Sequence, residues 1–187
     1  MELIEITMNA DEQMQKTLDY TKTQIEKIRT GRASASLIDG VMVDAYGSST
    51  PIGQTANVSS PDARSIIIQP WDRSLLEAIE KAIQTADLGF NPQNDGTIIR
   101  INVPPLTEER RKEFVKMAKK YAEDGKIAVR NIRRDNNELL RKAEKSKELS
   151  EDFRKQGEEE IQEITNGFIK NIDELASNKE KELLSDD

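Results

Sequence analysis

Phe114, Ala118, Tyr121, Gly125, Ala128, Ile132, Leu139 and Ala143 recur at three- and four-residue steps, interrupted once at Asp135 or Asn136. That period belongs to one face of an α-helix and cannot be held by a strand. Thr107 is a suitable N-cap, and Glu108 and Glu109 suit the positive end of the helix dipole. About 40 residues at ~1.5 Å each make a rod of roughly 60 Å, whose apolar seam other helices must cover. Residues 5–29 repeat the spacing with Ala10, Met14, Leu18, Ile25 and Ile28, Thr21 filling the missing step, and Gly31 is a stop signal. Beyond Ser150, Glu151 and Asp152, a third helix carries Ile161, Ile164, Phe168, Ile172, Leu175 and either Leu183 or Leu184. Three such helices want each other, which predicts a three-helix bundle.

Residues 33–106 have a different character. Residues 41–46 read as a strand, 47–51 as a turn, and 64–69, rich in isoleucine and ended by Pro70, as a second strand. Asp72 can cap a helix to Ala86 with Leu75, Leu76, Ile79 and Ile83 inward. Asn94-Asp95-Gly96 signals a turn, residues 97–103 a strand, and Pro104-Pro105 ends regular structure. The fold expected is therefore α+β. Residues 1–30 and 106–187 form the bundle, and a small β/α/β domain, 31–105, is inserted between the first and second helices. Two links join them, at 30–33 (Thr30, Gly31, Arg32) and 103–106 (Val103, Pro104, Pro105), and they form a hinge that is free at the glycine and stiff at the prolines.

The residue types present restrict the chemistry. Among 187 residues there is no His and no Cys, so there is no histidine triad, thiol nucleophile, disulfide or thiolate zinc site. Carboxylate or lysine chemistry remains possible on paper, but nothing brings two carboxylates and a cleft together, and no catalytic role, cofactor or metal is expected. Glu158-Glu159-Glu160 resembles a metal cluster only in one dimension, because consecutive helical residues point apart. Apolar runs are too short to span a bilayer, and the first basic residue is Lys16 with no apolar stretch behind it, so a cytoplasmic protein without membrane contact is expected.

The net charge is −7, which globally disfavours a nucleic-acid partner. Locally the sign reverses: residues 107–149 carry 14 basic against 9 acidic residues, and residues 150–187 carry 5 against 12. On a wheel of about 100° per residue, Lys112, Lys116, Lys119, Lys126, Arg130, Arg133, Arg134, Arg141 and Lys145 fall within roughly 60° of Arg130, opposite Tyr121, Ala128, Ile132 and Leu139. A plain solvated face paired with glutamates is one reading. The concentration of arginine at its centre gives equal weight to the other, recognition of phosphate by planar guanidinium forks. No aromatic residue interleaves the stripe, so it suits backbone and shape rather than base stacking, as folded RNA requires. Arg29 and Arg32, in Lys27-Ile28-Arg29-Thr30-Gly31-Arg32, are candidates for the same surface or, more plainly, complements to a helix dipole.

Residues 27–34 (Lys-Ile-Arg-Thr-Gly-Arg-Ala-Ser), 104–112 (Pro-Pro-Leu-Thr-Glu-Glu-Arg-Arg-Lys) and 129–135 (Val-Arg-Asn-Ile-Arg-Arg-Asp) resemble signatures of the bacterial ribosome recycling factors. Asp72-Arg73-Ser74, Lys81-Ala82-Ile83, Asp87-Leu88-Gly89 and Asn91-Pro92 fit in order, so the resemblance spans essentially the whole chain. Ala35 departs from a frequent proline. The resemblance implies an L-shaped, hinged, monomeric protein. It implies binding to ribosomal RNA of the large subunit after termination, and splitting of the ribosome with elongation factor G and GTP. It places the RNA contacts on Arg130, Arg133 and Arg134, with Arg29 and Arg32 nearby, and leaves GTP hydrolysis to the partner.

Overall fold

A computed structural model describes residues 2–185. The chain forms two compact units, one from the residues up to Arg29 together with those from Glu108 onward, the other Thr30–Thr107. The first holds α1 (Leu3–Glu26), α3 (Glu108–Lys145) and α4 (Glu151–Leu184), packed pairwise on each other. The second holds β1 (Met42–Ala45), β2 (Ser48–Pro51), β3 (Ala56–Asp62), β4 (Ser65–Pro70), α2 (Leu76–Thr85), β5 (Pro92–Asn94) and β6 (Ile99–Asn102). The α+β class, a helical bundle with an inserted unit, is as the sequence predicts.

The inserted unit has more strands than expected. A four-stranded antiparallel sheet runs β3-β4-β6-β5, and β1 pairs with β2 in a separate hairpin. The central strands β4 and β6 set Ile66 opposite Ile101 and Ile68 opposite Ile99, and these are the isoleucine-rich segments that read as strands. The edge strands β3 and β5 contain Pro61 and Pro92 and little apolar signal, which an edge tolerates because one side of its ladder is unpaired. The segment 47–51 is a correction: only Tyr46-Gly47 turns, both at positive φ as a tight hairpin needs, and Ser48–Pro51 is strand. Asp72 accepts from the Ser74 N–H and caps a short 3₁₀ turn that leads into α2, whose Leu76, Ile79 and Ile83 are buried against the sheet.

The helical unit differs in register. The residues of α3 that are buried are Ala118, Ala122, Gly125, Val129, Asn136, Leu140 and Ala143, while Tyr121, Ala128, Ile132 and Leu139 are half-buried flanks. Ala118, Gly125 and Ala143 belong to both lines, and the true inner line lies about 50° round the helix from the expected one. Small residues let helices close in: a Cβ on Gly125 of α3 would lie 2.5 Å from Thr21 Oγ1 of α1, and one on Gly157 of α4 2.6 Å from Leu3 Cδ1 of α1. The interruption of the seam is Asn136, buried and satisfied: Asn9 Nδ2 donates to its Oδ1 at 3.1 Å, and its Nδ2 donates to Ile132 O at 2.9 Å and to Gln13 Oε1 at 3.4 Å. α1 stops at Glu26 rather than 29, so Arg29 lies beyond the helix and no basic residue occupies its last turn. In α4, Leu183 is inside and Leu184 exposed.

Candidate nucleic-acid interface

Pairing with α4 divides the basic stripe of α3 into two sets. The inner row faces α4 and is paired with it. Lys119 Nζ lies 2.9 Å from Glu180 Oε1, Lys126 Nζ 2.9 Å from Asp173 Oδ1, and Arg141 Nε 3.1 Å from Glu158 Oε1. Arg133 Nη1 donates to Gln162 Oε1 at 3.0 Å. Lys126 is the most enclosed of these, its side chain 18% exposed, with Glu123 as a second partner at 3.1 Å. Hydrogen bonds to Asp173 and then Glu123 push its pKa up, and the bond from Lys126 holds Glu123 below the usual carboxylate range.

The outer row faces solvent. Arg130 reaches Glu123 at 3.4 Å and Arg134 reaches its neighbour Asp135 at 3.3 Å. Exposed pairs like these contribute about 0–1 kcal/mol. Lys112 pairs with Glu108 one turn back. Lys116 and Lys145 continue the exposed row, and neither is in an ion pair among the described residues. The structure thus brings Lys126, Arg130, Arg133, Arg134 and Arg141 onto one helix. Arg130, Arg134 and Arg141 are exposed, Arg133 is half-buried and Lys126 is tied down. Arg29 is exposed at the end of the helical unit, and Arg32, also exposed, belongs to the other unit.

The acidic helix is the part that sequence reasoning missed. Glu158 is not a solvated residue: it accepts from Arg141 and from Arg154 Nη1 at 2.7 Å, and Arg154 Nε reaches Glu144 Oε2 of α3 at 2.7 Å. The signal was present as matched steps. Lys119 to Lys126 advances seven residues while Glu180 to Asp173 retreats seven, and Lys126 to Arg141 and Asp173 to Glu158 both move fifteen. Among the described residues no acidic group is arranged to hold a metal ion, and no helix is long and apolar enough to cross a membrane.

Both chain links are secured within the small unit. Gly31 sits at φ +80°, and a Cβ there would lie 2.8 Å from Leu106 Cγ. Arg64 Nη1 donates to Gly31 O at 3.1 Å, Ala33 N–H to Ala63 O at 2.8 Å, and Val103 N–H to Arg64 O at 2.7 Å. Thr30, Gly31, Arg32 and Val103 therefore flank one turn, β3 to β4, while Pro104 and Pro105 are exposed. Glycine at 31 answers a positive φ and a close neighbour.

A bundle of three long helices interrupted after its first by a small sheet-and-helix unit is the architecture of a known class of translation factors. The family described as "Ribosome recycling factor" matches residues 21–184. A ribosome-recycling factor of Nitratidesulfovibrio vulgaris is 55% identical over 184 residues, 98% of this chain and 99% of that protein. One of Nostoc punctiforme is 51% identical over 178 residues, 95% of this chain and 98% of that protein. The solution structure of a ribosome recycling factor superposes with a TM-score of 0.78 at 40% identity, covering 100% of this chain and 99% of that one. A second structure, of the T. thermophilus ribosome recycling factor with E. coli elongation factor G bound to the E. coli post-termination complex, has a TM-score of 0.64 at 46% identity over 99% of this chain and 100% of that one. The chain belongs to the ribosome recycling factor family.

Proposed function

We propose that this chain binds the post-termination ribosome in the cytoplasm as a monomer, through the arginines of α3 and ribosomal RNA of the large subunit. With elongation factor G and GTP it splits the ribosome into subunits for another round of translation. The observation that carries the RNA contact is the arginine cluster Arg130, Arg133 and Arg134 on one side of a helix, in a chain whose net charge is −7. Arginine forks match phosphate oxygens, and a straight basic helix reads backbone and shape without sequence. GTP hydrolysis belongs to elongation factor G, and this chain contributes binding and leverage rather than catalysis.

The links at 30–33 and 103–106 act as the hinge through which the GTPase moves one unit while the bundle holds RNA. Gly31→Pro is an unsuitable probe, because proline is locked near −65° and Gly31 sits at φ +80°. Pro104→Gly with Pro105→Gly loosens the second link and leaves α3 untouched. The deciding assay is subunit splitting on post-termination ribosomes, with and without elongation factor G and GTP. Arg130→Ala with Arg134→Ala is expected to weaken large-subunit binding and reduce its salt dependence, each lost phosphate contact lowering the slope of log K against log salt by about 0.7–0.9. Unchanged binding by that double variant, folded as the parent, would remove the RNA assignment.

A further inference from the structure

The inner row between α3 and α4 is not uniform. Three of its cations, Lys119, Lys126 and Arg141, meet carboxylates in a constant antiparallel register. Arg133 occupies the fourth rung, and there the acidic helix presents amides. Its Nη1 donates to Gln162 Oε1 at 3.0 Å, and Gln162 Nε2 donates onward to Asn166 Oδ1 at 2.8 Å. Asn166 is the residue opposite Arg133 in the register the other three pairs keep. The same helix supplies no compensation either: three and four positions from Arg133 stand Val129, Arg130, Asn136 and Asn137. Among the described residues no carboxylate pairs with Arg133.

The two kinds of rung behave differently toward an incoming anion. An ion-paired cation must release its carboxylate before a phosphate gains its full charge. An amide-held guanidinium gives up at most one neutral hydrogen bond, keeps its charge, and is already oriented. A carboxylate here would be unremarkable in a segment, residues 150–187, with 12 acidic and 5 basic residues, so the pair of amides interrupts a pattern. We infer that Gln162, backed by Asn166, is a positioning residue that orients Arg133 for an RNA phosphate without neutralising it, while the carboxylates opposite Lys126 and Arg141 bound that contact on either side. This rests on reading α3 as the RNA-facing helix.

The test uses the full chain and purified large ribosomal subunits, with affinity measured across a salt series. Gln162→Glu places a carboxylate on the rung at unchanged length. It is expected to weaken binding about tenfold, the scale of one charge-assisted hydrogen bond, and to lower the salt slope by about 0.7–0.9, as Arg133→Ala does. Its melting temperature should match or exceed the parent's, since an ion pair is added. Gln162→Met keeps length and charge balance but cannot accept, so it should weaken binding about threefold with the slope unchanged. Asn171→Asp adds the same charge about 180° round α4 and should alter neither quantity. In an Arg133→Ala background, Gln162→Glu should cost nothing further. Parent-like binding by Gln162→Glu, or an equal loss with and without Arg133, overturns the positioning role while leaving the RNA-facing helix standing. Parent-like binding by Gln162→Met overturns the orienting part. Parent-like binding by Arg133→Ala removes both this inference and the role of Arg133 in the proposed function.

Discussion

The two units differ most where the small sheet packs on its helix and where α3 meets its neighbours. In the small unit burial follows size: Ile38, Ile52, Ile66, Ile68, Ile79, Ile83, Ile99 and Ile101 are each at most 1% exposed and form one cluster. In the helical unit Ile6, Met14, Leu140, Ile161 and Ile172 are buried likewise, but along the middle of α3 burial follows position: Ala118, Ala122, Gly125, Val129 and Asn136 turn inward, and Ile127 and Met117 stay in solvent. A helix lying on a sheet leaves a layer that large β-branched side chains fill well. Three helices that approach closely leave no such layer, and a small residue at the crossing lets backbones meet while larger ones wrap round the edge. The consequence is that a large aliphatic residue is a good guide to the core in the small unit and a poorer one along α3.

The sharpest way to break this comparison is a pair of neighbours with identical chemistry. Leu140 is fully buried and Leu139, beside it on α3, is half-buried. Leu140→Ala should cost about 3–5 kcal/mol and Leu139→Ala less than half of that. The helical signal in circular dichroism on urea titration is the readout. Equal losses would return the seam to the register expected from side-chain size. Ile68→Ala should cost about 2–4 kcal/mol in the other core. Trp71, the single tryptophan, lies in the small unit and reports that loss by fluorescence. If the fluorescence and helical transitions shift together in both variants, the two clusters act as one cooperative core.

A smaller effect is expected at Asn136. Removing its amide by Asn136→Ala leaves Asn9 Nδ2 without its acceptor at the edge of the core, and should cost about 1–3 kcal/mol by urea titration. Asn136→Leu tests what the amide is for. If register is its role, the leucine variant melts at or above the parent temperature but loses the single set of sharp side-chain resonances in NMR.

The smallest effects concern acid. Asp95 accepts from the Ile98 and Thr97 N–H groups, Asp62 from Arg64 N–H, and Asp72 from the Tyr46 hydroxyl and then Ser74 N–H, and each is held below its ordinary 3.8. A depressed carboxylate stabilises the fold above its unfolded pKa and loses that contribution as pH falls through the folded value. The small unit should therefore hold its melting temperature down to about pH 4 and lose it below, with little response to salt. In the helical unit Glu12, Glu108 and Glu151 are lowered from 4.5 by hydrogen bonds from Lys16, Lys112 and Lys155. Those exposed pairs should weaken with salt at neutral pH. Fluorescence and circular dichroism melts from pH 5 to 2.5 at two salt concentrations separate the two behaviours.

Reading residues alone went furthest where local physics decides the outcome. Periodicity of three and four marks helices, runs of isoleucine between proline and glycine mark central strands, and a basic stretch in an acidic chain marks α3 as the helix to watch. These follow from the geometry of one element and need no neighbour. Edge strands β3 and β5 were illegible because their ladders come from β4 and β6 rather than from their own side chains. The inner line of α3 was legible only in part: Ala118, Gly125 and Ala143 keep the period, but the turn that buries Ala122, Val129 and Leu140 in place of Tyr121, Ala128, Ile132 and Leu139 depends on α1, whose Thr21 meets Gly125 and whose Asn9 bonds Asn136. The division of the basic stripe into a tied row and an open row depends on which side chains of α4 come opposite it. Composition could count the carboxylates of α4, but only antiparallel packing decides that Lys126 and Arg141 face acids while Arg133 faces an amide.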